Sequence, residues 1–285
     1  MLKTFEEYNL LFEEEDKFLV LQAEEITTGF EDNPVHLNAT NIQNLIVPYG
    51  GNSMTEILQN NINAVLKQRE ETGVPILPHI NHPNFHFGTS AQDIIDLKGE
   101  CFFEVYNGHP AVNNFGDSTH QSTEAMWDLI NIAYIDKNQP LLYGIATDDS
   151  HNYHLFGTKY SNAGRGWVMV YADSLEAGSL IKAMEEGQFY AFTGVTLDDV
   201  SFHNNILKVV VNTEPEANYE IQFIGVYQHE SQSKILKKKV GKEGRFKITN
   251  DLRFVRIKVV SNKLKSNPFQ AGEYEVAWTQ PVIPK

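Results

Sequence analysis

A single cysteine, Cys101, stands in the 285 residues, so no intrachain disulfide can form. It opens the apolar stretch CFFEVY, where a buried, inert thiol is expected rather than a reactive one. Long uncharged apolar runs are also missing, and nothing approaches the roughly 18 residues that a membrane-crossing helix needs. The opening segment MLKTFEEYNLLFEEEDKF is too acidic and too interrupted for a signal peptide. The chain therefore reads as soluble: cytoplasmic, or periplasmic if an upstream segment was removed. Basic residues are in deficit, 23 against 37 acidic ones, and the formal charge of −14 repels nucleic acid and anionic membranes. Neither is expected as a partner, although a local metal-filled pocket can still bind an anion. The G-x-S-x-G elbow, the Walker loop and the G-x-G-x-x-G fingerprint are absent, which removes the commonest hydrolase, nucleotide and dinucleotide signatures.

What is present suffices for a large core, since 41% of residues are hydrophobic and 11% aromatic. Up to about Gly194, short apolar runs alternate with helical patterns. The spacing predicts a helix over 5–14, strands at 18–21 and 35–39, and a long helix opening at Ser53, where Glu56 completes capping-box spacing. There follow the strand PILPHI, a helix begun by Ser90, the strand CFFEVY, a helix over 122–135, the strands LLYGIA and GWVMVY, and a helix from Ser174 to Gly187. Alternation of this kind implies an α/β fold with a mostly parallel sheet or barrel. Beyond about Val200 the helical period disappears, and short β-branched or aromatic segments separated by turns imply a small C-terminal antiparallel β-sandwich. The expected domains are 1–198 and 199–285. Lys237, Lys238 and Lys239 lie beside a strand, where a solvated edge is favoured over an anion patch.

Five side chains, Glu25, His82, Glu104, Asp149 and His151, sit at or just past the ends of apolar runs. Glu104 lies inside FFEVY, where an uncompensated carboxylate costs several kcal/mol or takes up a proton. A basic partner or a metal ion would each relieve it. His82 sits between Asn81 and Pro83, and the proline biases it toward an extended strand exit; His79 and His86 lack this context and are read as structural or supporting. Asp149 and His151 are two apart beyond LLYGIA, so in extended chain they project to one side. Glu25 follows FLVLQA, with Glu24 as the solvated member of the pair. Carboxylates and imidazoles without thiolates suit zinc, manganese or iron, and an open site of that composition supports hydrolysis by metal-activated water.

In order along the chain, AEEIT followed by VHLNA, then NHPN, FEVYNG, TDDSH and GQFYAFTG resemble the successive motifs of the PHP (polymerase and histidinol phosphatase) superfamily. The likeness runs from about Phe18 to Gly194 and lies with the metal-dependent phosphoesterase branch that includes carbaryl-hydrolase-like proteins. It implies a distorted (β/α)7 barrel, N-terminally incomplete here, whose strand ends hold divalent metal ions. It makes Glu25 a bridging carboxylate, places His82 and Glu104 in one metal's shell, and gives Asp149 and His151 to the others. At the position of Glu104 the family also uses histidine or cysteine. His36, in VHLNA, matches a motif residue but not a regular ligand.

The superfamily opens with an H-x-H strand and a D-H strand, and this sequence has neither before its first histidine, His36. Either a longer product precedes Met1 or half the site has been discarded. A barrel lacking its first strands exposes edges, which favours a partner chain or a homo-oligomer. Two readings follow. One is a metal-dependent phosphoesterase acting on a small phosphoester or similar anion, steadied by Arg165 in the glycine-flanked run NAGRGW or by His154. The other is a catalytically impaired remnant that serves as a binding or assembly module.

Overall fold

The computed structural model describes residues 3–99 and 102–285, so Cys101, read above as a buried thiol, lies outside the described residues. In chain order the elements are α1 (Phe5–Phe12), β1 (Ala23–Phe30), β2 (Asn33–Thr40), α2 (Met54–Thr72), β3 (Leu77–Ile80), α3 (Ala91–Ile94), β4 (Phe102–Asn107), α4 (Thr123–Asp136) and β5 (Tyr143–Thr147). They continue with β6 (Trp167–Val170), α5 (Ala177–Glu185), β7 (Phe189–Phe192), β8 (Leu197–His203), β9 (Ile206–Val211), β10 (Tyr219–Tyr227), β11 (Lys234–Val240), β12 (Glu243–Lys247), β13 (Leu252–Leu264) and β14 (Tyr274–Thr279). This is a mixed α/β protein built mostly from strands. Among the described residues no helix is long and apolar enough to cross a membrane. The chain divides into two compact units. Unit 1 takes in the described residues of Met1–Asn81, Asp96–Phe102 and Val170–Phe189; unit 2 takes in those of His82–Ile95, Phe103–Met169 and Tyr190–Lys285.

In unit 1, β1 and β2 form an antiparallel hairpin in unbroken register, from Ala23 opposite Thr40 to Phe30 opposite Asn33, around Glu31 and Asp32. A two-residue connection fixes that register. The strand expected at 18–21 therefore begins later, and Glu25 lies within β1 rather than past a strand end. The reason is local: Ile26, Thr27 and Thr28 are β-branched and find cross-strand partners in Leu37, His36 and Val35, whereas the apolar run FLVLQA enters the hairpin only at its last residue, Ala23. β2 also pairs antiparallel with β3, Leu37 opposite Ile80, so the mostly parallel arrangement expected from the alternation is not what these strands adopt. α2 begins at Ser53, whose hydroxyl accepts the Glu56 N–H at 3.1 Å. It ends at Gly73 in the left-handed conformation that glycine adopts without cost. It buries Ile57, Leu58, Ile62 and Val65 and packs on β1, β2 and β3. Arg69 of α2 forms an ion pair with Glu185 of α5.

In unit 2, β4 and β5 are neighbouring strands, and all six residues of β4 are buried. α4 is capped by Ser122, whose hydroxyl accepts the Ala125 N–H at 3.2 Å. Its Trp127 indole donates to the Leu142 carbonyl at 2.7 Å. The same ring lies over Gly144, where a Cβ would come within 2.8 Å of it, so a larger residue there would displace the tryptophan. Strands in the order β11-β10-β13-β14-β7-β6 make one sheet and β12-β9-β8 a second. Leu207 and Val209 of the smaller sheet and Tyr190, Ile221, Phe223, Ile257, Val259 and Ala277 of the larger one share a single core. The arrangement is a sandwich whose larger sheet also recruits β6 and β7. Ile132 of α4 packs on Val226 and Phe254 at the back of that sheet. β11, KILKKKV, is the sheet's edge, and Lys238 meets Glu220 at 2.9 Å, in keeping with a solvated edge that resists strand addition. The described strands of neither unit close into a barrel.

Phe223 is fully buried between the two sheets, with Phe246 stacked on it at 5.4 Å. Phe223→Ala is expected to destabilise the protein by about 3–5 kcal/mol, read as a lower midpoint in urea unfolding with an unchanged slope.

Candidate functional site

Cross-strand register positions the unit 1 residues. Glu25 faces Asn38, and His36 faces Thr27 one pleat further along, so Glu25 and His36 are diagonal neighbours on one face of the hairpin. Glu25 Oε1 lies 2.9 Å from His36 Nδ1 and accepts a hydrogen bond from the Asn81 amide at 2.7 Å. The same amide donates to Asn38 Oδ1 at 2.9 Å. Glu24 projects to the other face, as alternation requires, but is the less exposed of the pair: its carboxylate accepts the Ile46 N–H at 2.9 Å. His36, set aside above as an irregular ligand, is thus drawn together with Glu25.

The other predicted residues belong to unit 2. Glu104, 1% exposed on β4, accepts the His82 backbone N–H at 2.8 Å and an Asn107 amide N–H at 2.9 Å. Asn107 also donates to Asp149 Oδ2 at 3.3 Å, so one buried amide bridges both carboxylates. Asp149 in turn has Oδ1 2.8 Å from His151 Nε2 and Oδ2 3.8 Å from His82 Nε2. Asp149 and His151 are thus brought together, though not through the extended chain on which their pairing was expected. Asp149 takes φ 49°, a left-handed backbone that aspartate tolerates better than most residues.

The irregular segment 148–166 is held from within. Asp148 accepts the N–H groups of Gly164, Arg165 and Gly166 at 2.8, 2.6 and 2.8 Å. The Ser161 carbonyl accepts those of His151 and Asn152 at 3.0 and 2.8 Å. Arg165, expected on a mobile turn facing substrate, is instead 0% exposed. Its guanidinium donates to the carbonyls of Gly108 at 2.8 Å, Gly157 at 3.1 Å, Asn267 at 3.1 Å and Pro268 at 3.2 Å. Burial draws its pKa down, opposed by Tyr106, Glu273 and Asp148. A Cβ on Gly108 would stand 2.7 Å from Arg165 Cβ, so the glycine admits the arginine. His154 is exposed on the same segment.

Two residues of this cluster escaped the sequence reading. Asn107 is fully buried, and its Oδ1 accepts the His109 N–H at 2.8 Å. The His109 ring meets His151 edge-on at 5.7 Å and Phe85 at 5.8 Å. Burial is the main cause that pushes the His109 pKa down; Asp149 opposes it, while His151, His82 and Arg165 add to it. Asn107 ends β4 and His109 follows it, in the phrase FEVYNGH, so the strand-end logic that selected Glu104 reaches them if neutral amides are admitted. Histidines, carboxylates and an amide in this arrangement can bind a divalent cation or form a self-satisfied polar network.

No family model and no curated protein matches the chain. Among solved structures it is similar to a two-domain protein containing a predicted PHP-like metal-dependent phosphoesterase from Bacteroides vulgatus, at 12% identity and a TM-score of 0.37. That likeness covers 93% of this chain and 74% of the other.

Replacing Arg165 by alanine strips hydrogen bonds from four carbonyls at once, so Arg165→Ala is expected to cost about 2–4 kcal/mol. Thermal unfolding of the variant measures it.

Proposed function

We propose that this chain is a metal-dependent hydrolase acting on phosphoesters. The observation that carries the reading is the grouping, in unit 2, of Asp149 with His151 and His82, tied through Asn107 to the buried Glu104. Oxygen and imidazole donors without sulfur fit a borderline divalent ion such as zinc, manganese or iron. Asp149, His151, His82 and Glu104, all of unit 2, would hold it; the motif resemblance separately gives Glu25 of unit 1 a ligand role. His36, paired with Glu25 at 2.9 Å, would orient that carboxylate. When bound, the ion would polarise a phosphoryl oxygen and make water a better nucleophile at neutral pH.

The chain's own residues do the positioning. Asn107 fixes the rotamers of Glu104 and Asp149 together, as a supporting hydrogen-bond donor does for metal ligands. Asp149 fixes the orientation of the exposed His151 ring. The distorted (β/α)7 barrel and the carbaryl-hydrolase-like branch belong to this proposal, as does a homo-oligomeric state. A second reading, a module that binds without turnover, draws support from the pairing of Asp149 with His151, which relieves that carboxylate without an ion.

The full chain, equilibrated separately with zinc, manganese and iron and then desalted, is expected to retain at least one equivalent of one of them by elemental analysis. It is also expected to hydrolyse an aryl phosphate slowly in proportion to the metal retained. Asp149→Ala and His82→Ala are expected to abolish retention and turnover, and Asn107→Ala to weaken metal affinity about 10–100-fold. Metal retention without turnover would favour the binding module; a chain that keeps no metal and matches its variants would overturn both the ligand set and the activity.

A further inference from the structure

Fourteen consecutive residues of unit 2, 234–247, hold seven of the chain's 23 basic side chains and one of its 37 acidic ones. They make up β11, the connection through Gly241 and Lys242, and β12, so the end strand of the larger sheet and that of the smaller one carry the charge together. All of β11 except Leu236 is exposed, as are Arg245 and Lys247 of β12. Lys237 Nζ donates to the Arg245 carbonyl at 2.9 Å and ties the two edges to each other. Lys238 meets Glu220 and Lys234 meets Glu230, whereas Lys239, Lys242, Arg245 and Lys247 form no ion pair among the described residues. Elsewhere on the larger sheet the cations are matched: Arg256 of β13 meets Asp128 of α4 at 2.7 Å, and Lys258 meets Glu124. The excess of positive charge is thus confined to the edge.

An edge strand narrows the kind of ligand that can use this charge. β11 pairs on one side only, with β10, so its other side presents backbone N–H and C=O groups that a further strand could continue. An extended peptide has the matching ladder; a nucleic acid or a sulfated sugar does not. Residues two apart in a strand stand about 7 Å from each other. Lys237 and Lys239, opposite Phe223 and Ile221 of β10, therefore share a face and match acids at alternate positions of an added strand. Ile235 and Val240, 44% and 71% exposed toward the two ends of β11, offer apolar surface to residues flanking those acids. A long polyanion would run beyond the strip onto a chain whose net charge is −14, and a short peptide would not. Lysines on an edge keep neutral strands away because pairing would strip their water, and acids brought opposite them reverse that effect. The feature that guards this edge also selects what it admits.

We propose that β11 is a docking edge for an extended acidic peptide of a partner protein, which adds to the larger sheet as a further strand and sets acids at alternate positions against Lys237 and Lys239. Lys242, Arg245 and Lys247 hold the acids that follow. The edge uses none of the proposed metal ligands.

The test uses the full chain in EDTA, so that no carboxylate is captured by metal. Its probe is a fluorescein-labelled peptide of alternating threonine and glutamate, about twelve residues long so as to span β11, titrated by fluorescence anisotropy. Saturable binding is expected, weakened about tenfold or more between about 0.02 and 0.5 M salt. The same peptide N-methylated at every amide, which keeps its charges and loses its N–H groups, is expected to bind about tenfold or more weakly. Lys239→Glu/Lys242→Glu removes two lysines that have no ion pair to lose and is expected to weaken binding by about tenfold. Lys67→Glu/Lys182→Glu, an equal change in net charge on exposed positions of unit 1, is expected to alter it less than about twofold. The salt and N-methylation arms use the parent chain and so stand whether or not the variants fold. The proposal is overturned if the peptide does not saturate, if its N-methylated form binds as tightly, if the folded Lys239→Glu/Lys242→Glu variant binds as the parent does, or if a thymidine oligonucleotide or heparin fragment of equal charge binds more tightly than the peptide.

Discussion

Asp148 gathers three consecutive amide N–H groups, those of Gly164, Arg165 and Gly166, onto one carboxylate, and the geometry of the acid–imidazole cluster rests on that closure. The segment it closes has no regular secondary structure, and ordering each such residue costs roughly 1–2 kcal/mol of backbone entropy. Charge-assisted bonds to a carboxylate are among the stronger ones available to offset that cost. Arg165 reinforces them from the other side by crossing to the carbonyls of Gly108 and Gly157. Asp149 and His151 are therefore placed by a neighbouring acid that itself points away from them. Of the two adjacent aspartates, Asp148 is spent on structure and Asp149 is left for chemistry.

Local signals were the readable ones. Ser53, Ser90 and Ser122 each cap the helix that the sequence assigns to them, because an N-cap is decided within four residues. The sandwich strands were legible for a similar reason, since period-two alternation and turn residues are local. Glu25 was given the wrong address: the hairpin that carries it depends on pairing with residues 33–40, and a single apolar run outweighed that pairing. The burial of Arg165 could not be read at all. Its partners Gly108 and Asn267 lie 57 and 102 positions away, and a glycine-flanked arginine looks like a surface turn until those carbonyls are in view.

The candidate site was legible as a set of residue types more than as a set of contacts. Strand-end acids and histidines pick out Glu104, Asp149 and His151, but the atom that ties two of them together belongs to an asparagine, which carries no charge to draw attention. Asn107 holds Glu104 and Asp149 in one hydrogen-bond network and fixes the chain at His109 through its remaining oxygen. A buried network of that kind is all-or-none, because each member left without its partner is expensive in a low-dielectric interior. The same economy explains why burial, with two imidazoles and an arginine adding to it, pushes the His109 pKa down.

The ion pairs between α4 and β13 bear on how this protein could be cut. Arg256 and Lys258 come from the C-terminal sandwich, while Asp128 and Glu124 come from a helix that precedes β5. Stripping away the sandwich would leave Asp128 beside Trp127 without its counter-charge, in a surface evolved to stay dry. The C-terminal sheets are thus no detachable cassette: shortening this gene at their edge should yield an insoluble or molten product, and homologous recombination there should be tolerated only when both partners of the salt-linked seam travel together.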